Sequence, residues 1–179
     1  MTFPYRQSER IYLRAPHIDD LQRNLRWFND PAINRYLQSG RFPVGEKQQR
    51  EWHDKQGTDE KHVVFSICLA DNDVHIGNCG LYDISLPDRH ATIGILIGER
   101  TQHNKGYGGE ALRLVIDYAF NCLNLERLTL TMLDTNEPAK VCYRRLGFVD
   151  EGRMRANRFR DGQWVDELVM GLLKSEWKP

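Results

Sequence analysis

Apolar and polar residues alternate over Arg10–Ala15 (RIYLRA), a spacing that predicts a first strand. The repeat then changes. From Pro16–Asp19 to about Phe28, the apolar positions Leu21, Leu25 and Phe28 fall at i, i+4 and i+7, one face of a helix. Asn29-Asp30-Pro31 reads as a cap followed by a first-turn proline, so a second, short helix is expected over Ala32–Leu37. Gly45–Gln56 is polar with helical character and ends near Gly57.

From Val63 the period shortens to two. Val63–Ala70 and Val74–Asp83 flank the turn Asp71-Asn72-Asp73 and predict a hairpin. Ala91–Gly98 is apolar on both faces in its second half, which places it centrally in a sheet. Glu110–Leu123 returns to a helical period, with Leu112, Val115, Ala119 and Cys122 on one face. Arg127–Leu133 is a strand, and Asn136–Leu146 a helix with an Asn cap, an early proline and a closing Gly147. Phe148–Ala156 and Trp164–Leu173 are strands joined at Asp161-Gly162, a hairpin signal. The order is strand, three helices, three strands, helix, strand, helix, two strands. It predicts a single α/β (α+β) domain: a mixed, mostly antiparallel central sheet flanked by helices, with one βαβ crossover.

Composition narrows the class without naming it. The 179 residues are 40% hydrophobic and 28% charged, as expected of a soluble globular chain. Lysine plus arginine and aspartate plus glutamate are 25 each, so there is no basic surplus for a dedicated nucleic-acid binder. No apolar run reaches membrane-spanning length, and MTFPYRQSER lacks the apolar core of a signal peptide, so a cytoplasmic location and no membrane partner are expected. Cys68, Cys79, Cys122 and Cys142 form no C-x-x-C pair and predict buried reduced thiols rather than a metal site.

The crossover carries the chemistry. It opens on HNKGYGGEAL (His103–Leu112), three glycines within four residues at the start of a helix. Helix N-termini leave N–H groups unpaired and carry partial positive charge, and glycines let a pyrophosphate approach them. One reading is a plain turn. Another is a dinucleotide fold, since Gly106-x-Gly108-x-x-Ala111 fits that fingerprint and Asp134 stands where a ribose-binding acid is expected. Seven polar residues, Glu99–Lys105, and the flanking hairpins count against it. The third reading is a pyrophosphate loop preceded by a longer turn.

In that third form the chain resembles the GNAT N-acetyltransferases, in the branch holding the ribosomal-protein alanine and spermidine N-acetyltransferases. His103-Asn104-Lys105-Gly106-Tyr107-Gly108 is similar to the family's Gln/Arg-x-x-Gly-x-Gly/Ala signature, with His in place of Gln or Arg. Asn136–Phe148 resembles the family's Asn-x-x-Ala-x-x-x-Tyr-x-x-x-Gly-Phe segment. Leu13-Arg14, Trp27–Pro31, Gly152–Arg155 and Met170–Leu173 are similar as well, so the likeness runs over about residues 8–177.

The resemblance implies an acetyltransferase using acetyl-CoA and no metal, with a primary amine attacking the thioester directly. It implies donor binding by His103, Asn104, Lys105, Gly106, Tyr107, Gly108, Gly109, Lys140 and the backbone of Ile95, Leu96 and Ile97. It implies that Asn136 caps its helix and touches the donor, and that Tyr143 serves the leaving thiolate. Thr92 stands where many members carry a basic Glu; Asp83, His75 and His90 are the alternatives, and the sequence selects none of them. The acceptor site is expected among Trp27, Phe28, Tyr36, Phe42 and Trp52, with Asp150, Glu151 and Asp166 opposite. A protein N-terminal amine is the favoured acceptor; a polyamine, amino sugar or aminoglycoside is the alternative. The Thr92 and His103 departures also keep open a non-catalytic acyl-CoA sensor. The chain is expected to be a monomer or homodimer.

Overall fold

The computed structural model describes residues 3–37, 42–58 and 60–178. Its centre is a sheet of eight strands. They are β1 (Arg6–Gln7), β2 (Ile11–Arg14), β3 (Val63–Leu69), β4 (His75–Ser85), β5 (His90–Ile97), β6 (Arg127–Leu133), β7 (Val149–Arg160) and β8 (Gln163–Leu173). They lie in the order β1-β2-β3-β4-β5-β6-β8-β7. Every neighbouring pair is antiparallel except β5 and β6. That parallel pair is the expected crossover, and β5 is central as expected. The two-residue β1 is too short for its alternation to show in the sequence.

The helices are α1 (Leu21–Asn29), α2 (Pro31–Asn34), α3 (Glu46–Asp54), α4 (Tyr107–Asp117) and α5 (Glu137–Arg145). Successive strand residues face opposite sides of the sheet, and β5 shows which helices sit where. Ile95 and Ile97 face the start of α4, whereas Gly98, the next residue, faces Trp27 of α1. A Cβ on Gly98 would lie 2.0 Å from the indole Cδ2, so only glycine lets the helix approach. The main core fills the α4 side, where Leu112, Val115, Ile116 and Phe120 pack on Ile67, Leu128 and Met170.

Two buried faces differ from the periodic reading. In α1 the buried residues are Leu21, Asn24 and Trp27, not Leu21, Leu25 and Phe28. Asn24 is drawn inward because its Oδ1 accepts from Asn78 Nδ2 at 2.8 Å, and Trp27 packs on His75 with ring centroids 4.8 Å apart. After Asp117 the backbone widens into a π turn over Tyr118–Cys122. The wider turn shifts the phase: Phe120 becomes buried, and Cys122 is exposed, its sulfur 2.6 Å from Arg6 Nη2. Cys68 and Cys79 are buried, and Cys142 is half-buried.

Beneath α1 lies a buried polar hub. Asp20 accepts from both Arg14 guanidinium nitrogens at 2.7 Å, from Ser66 Oγ at 2.7 Å and from the His17 N–H at 3.0 Å. Burial alone would raise this carboxyl; the Arg14 bonds, His75 and the other donors hold it far below the usual carboxylate range. His75 is fully buried beside it, with Nε2 at 2.8 Å from Gly77 O and 3.0 Å from Asn78 Oδ1.

Candidate active site

The only parallel pairing among the described residues stops early. β5 and β6 are in register at His90–Arg127, Ala91–Leu128 and Thr92–Thr129, and no further. Both strands continue, to Ile97 and Leu133, so they part into a wedge. β4 and β5 stay in uninterrupted register from Gly77–Ile97 to Tyr82–Thr92. The opening lies between β5 and β6 themselves, since β6 likewise keeps its register with β8 from Arg127–Leu173 to Leu133–Glu167. A cleft of about 1600 Å³ runs through this wedge.

At the wide end of the wedge α4 begins. Gly106 is its N-cap residue with φ +88°, a left-handed conformation in which a side chain would be strained. Tyr107, Gly108 and Gly109 follow as the first turn, whose N–H groups have no partner inside the helix. A clamp holds the turn from below. Arg10 Nη1 donates to Lys105 O at 3.0 Å, while its Nε and Nη2 reach Glu110 at 2.8 and 2.5 Å. Glu110 also accepts from Ser8 Oγ at 2.5 Å. The departing residue His103 has a structural partner: its Nε2 lies 2.8 Å from Ile97 O. As the N–H tautomer it ties the loop to the end of β5.

At the other wall stands α5. Asn136 is its N-cap residue and accepts from the Ala139 N–H at 3.4 Å, at the long end of hydrogen bonding. Two turns on, Tyr143 is buried and lines the cleft, its ring 5.5 Å from that of Phe148. No hydrogen-bond partner is found for its hydroxyl among the described residues. Burial, reinforced by Cys142, Tyr82 and Cys79, pushes the phenol well above its ordinary value.

Ile95, Leu96, Ile97, His103, Asn104, Gly106, Tyr107, Gly108, Gly109, Asn136 and Tyr143 thus meet in one cleft. Two expected residues lie outside its lining. Lys140 is held by Asp134 at 2.7 Å and Glu137 at 2.6 Å, and these carboxylates raise its pKa. Lys105 Nζ donates to Gln102 Oε1 at 3.0 Å. The arginines that line the cleft are instead Arg10, Arg35, Arg113 and Arg145. The sequence carried one signal for two of them: Arg113 lies one turn beyond Gly109, and Arg145 two residues beyond Tyr143.

On the α1 side the cleft is lined by Phe28, Tyr36, Trp52, Tyr82, Asp83 and Thr92. Trp27 and Phe42 are not in the lining; Trp27 is buried against Gly98, and Phe42 is exposed. The hairpin carboxylates do not face the cleft as available charges. Asp150 pairs with Arg144, Glu151 with Arg127, and Asp166 with Arg153. Of the basic candidates, His75 belongs to the buried hub and His90 sits before the strands part. Asp83 alone reaches the cleft, exposed, in a left-handed conformation (φ +50°) where the β4–β5 register breaks.

Fold and cleft together give a mixed sheet whose parted strands open onto the glycine-rich start of a helix. The family described as "Acetyltransferase (GNAT) domain" matches residues 10–149, and the chain belongs to that family. An uncharacterized N-acetyltransferase of Bacillus licheniformis is 29% identical over 173 residues, covering 95% of this chain and 96% of its own. The spermidine N(1)-acetyltransferase of Escherichia coli (strain K12) is 34% identical over 97 residues, 54% of this chain and 52% of its own. A solved spermidine N-acetyltransferase from Vibrio cholerae, in complex with CoA and spermine, superposes with a TM-score of 0.85. It is 27% identical and covers 93% of this chain and 96% of that one.

Proposed function

We propose that this chain moves the acetyl group of acetyl-CoA to a primary amine by direct attack, without an acyl-enzyme. One observation carries this: the wedge joins a glycine-rich helix N-terminus at one end to an unpartnered phenol, Tyr143, in its wall. The first-turn N–H groups of α4, with Arg113 and Arg145, suit the donor's phosphates. The β5 edge over Ile93–Ile97 has no strand beside it and offers backbone N–H groups to the thioester oxygen, where negative charge develops.

As the N–C bond forms and the C–S bond breaks, the amine must shed a proton and the sulfur leaves as thiolate. Proton transfer from an ordinary phenol (about 10) to a thiolate (about 8.5) is uphill by about 2 kcal/mol. Burial of Tyr143 widens that gap. Tyr143 therefore acts by donating a hydrogen bond to the developing thiolate, not by surrendering its proton. Asn136, at the head of the same helix, holds that helix start against the donor.

The sequence resemblance favours a protein N-terminal amine as acceptor. A small amine is favoured by one observation: a second recess, lined by Asp83, Thr92, Thr129, Asn157, Arg158 and Glu167 among others, opens from the acceptor side of the cleft. The test is thiol release from acetyl-CoA with a panel of an alanine-ended peptide, spermidine and glucosamine. Release with any of them supports the transfer reading. Calorimetric binding of acetyl-CoA with no thiol release from any amine would instead establish an acyl-CoA sensor.

A further inference from the structure

The recess measures about 470 Å³ and shares Asp83, Thr92 and Thr131 with the cleft. It lies on the sheet face opposite α4, over the rungs where β5 and β6 are still paired. Its inner end is built rather than incidental. Between the Met154–Glu167 and Arg158–Val165 rungs, Arg155, Ala156 and Asn157 of β7 oppose the single Asp166 of β8. Ala156 takes a left-handed φ of +49° there, and its N–H is held by Asp166 Oδ1 at 2.8 Å. The bulge turns Asn157 and Arg158 onto Glu167, whose side chain is only 2% exposed. Glu167 Oε2 accepts from Asn157 Nδ2 at 2.5 Å and from Arg158 Nε at 3.1 Å.

We propose that this recess holds the hydroxyl groups of a small polyhydroxylated monoamine of the amino-sugar class, with Glu167 as a specificity-determining residue. The inference rests on the transfer reading and names its acceptor. Charge carries the argument. The ionisable groups lining the recess are Asp83 and Glu167, negative, and Arg158, positive: two minus one leaves one net negative charge. The carboxylate left over in the lining is Asp83, which the recess shares with the cleft, so it suits one ammonium at their junction, the amine about to be acetylated. A polyamine would bring further ammonium groups with no carboxylate to meet them, because Glu167 is already matched by Arg158.

The rest of the lining suits hydroxyls. Thr92 and Asn157 offer both donor and acceptor, Thr129, whose Oγ1 donates to Ala91 O at 3.5 Å, offers an acceptor, and the Arg158 fork adds donors. Met154 and Val169 give a small apolar patch for the carbon face of a ring. The single arginine is tied to Glu167, so the lining holds no second cation for a phosphorylated sugar.

The experiment follows thiol release from acetyl-CoA with glucosamine, spermidine and an alanine-ended peptide, using the full chain and two variants, Glu167→Gln and Thr129→Val. Glucosamine is expected to show the highest kcat/KM. Each variant is expected to raise KM for glucosamine by about tenfold, the worth of one lost hydrogen bond, while acetyl-CoA affinity by calorimetry stays at the wild-type value. Thr129→Val keeps the side-chain shape, so it reads the same site if Glu167→Gln disturbs the bulge. Preference for spermidine or the peptide, or an unchanged KM for glucosamine in both variants, overturns the recess assignment and leaves the transfer reading standing. No release with any amine overturns both.

Discussion

Tyr143→Phe removes one oxygen and nothing else. The ring keeps its packing against Phe148, and no described residue loses a hydrogen-bond partner. If the phenol stabilises the leaving thiolate, the loss is that of a hydrogen bond to a charged acceptor, about 1.5–3 kcal/mol, or roughly 10- to 150-fold in turnover. The bond forms only as charge develops on sulfur, so KM for acetyl-CoA and the Kd of CoA should stay within about twofold. Stability should not follow. The hydroxyl has no partner in the fold to lose and opens onto the cleft, so the variant should melt close to the wild-type temperature. The assay pairs thiol release, with the fastest acceptor at saturation, with a thermal melt of the same preparation. Turnover within about twofold of wild type would refute the role for Tyr143. A lowered melting temperature would show that the hydroxyl has a structural partner.

Four further outcomes follow from named contacts. A Cβ on Gly108 would lie 3.8 Å from both Ile95 Cδ1 and Ile97 Cγ1, so the γ-methyls of Gly108→Val crowd the joint between α4 and β5. Acetyl-CoA affinity should fall at least about tenfold by calorimetry, and an unchanged affinity would remove the loop from the donor site. Lys140→Ala should leave that affinity within about twofold, because the ammonium is committed to Asp134 and Glu137; a tenfold loss would place it on the donor after all. Asp20→Asn strands Arg14 in the interior and should cost about 3–5 kcal/mol in urea unfolding. The Asp20 carboxyl is lower in the folded chain than in the unfolded one. Its contribution is therefore present above about pH 4 and is lost as pH falls towards the folded value. Wild-type stability should drop more steeply than that of Asp20→Asn below pH 4, and parallel curves would contradict the hub.

The order of elements was readable from the sequence because period and punctuation agreed. Asp30-Pro31, Asn136 with Pro138, Gly147 and Asp161-Gly162 each stand at the boundary they mark. What misled was assigning availability to charge and polarity. His75 reads as a candidate base but lies inside the hub, with Nδ1 at 3.2 Å from Asp20 Oδ1 and Nε2 beside Gly77 O and Asn78 Oδ1. Lys140, Asp150, Glu151 and Asp166 read as free charges, yet each has a partner. Several of these partners come from other elements, and spacing along one element says nothing about them. Asn24 in α1 was missed for the same reason: its burial depends on Asn78 of β4, 54 positions away. The glycine loop and Tyr143 were legible because their chemistry is local to one helix start and one helix face. Glu167 was not, because it takes a β-bulge on the neighbouring strand to give it Asn157 and Arg158.

The early parting of β5 and β6 gives this sheet a third margin, besides β1 and β7. Exposed margins invite other chains to dock, which is why proteins shorten, twist or cover them. This one is interior: the remaining β5 backbone lines the cleft, with residues of α4 and α5 beside it. A margin set inside a cleft meets what enters the cleft before it meets a neighbouring sheet.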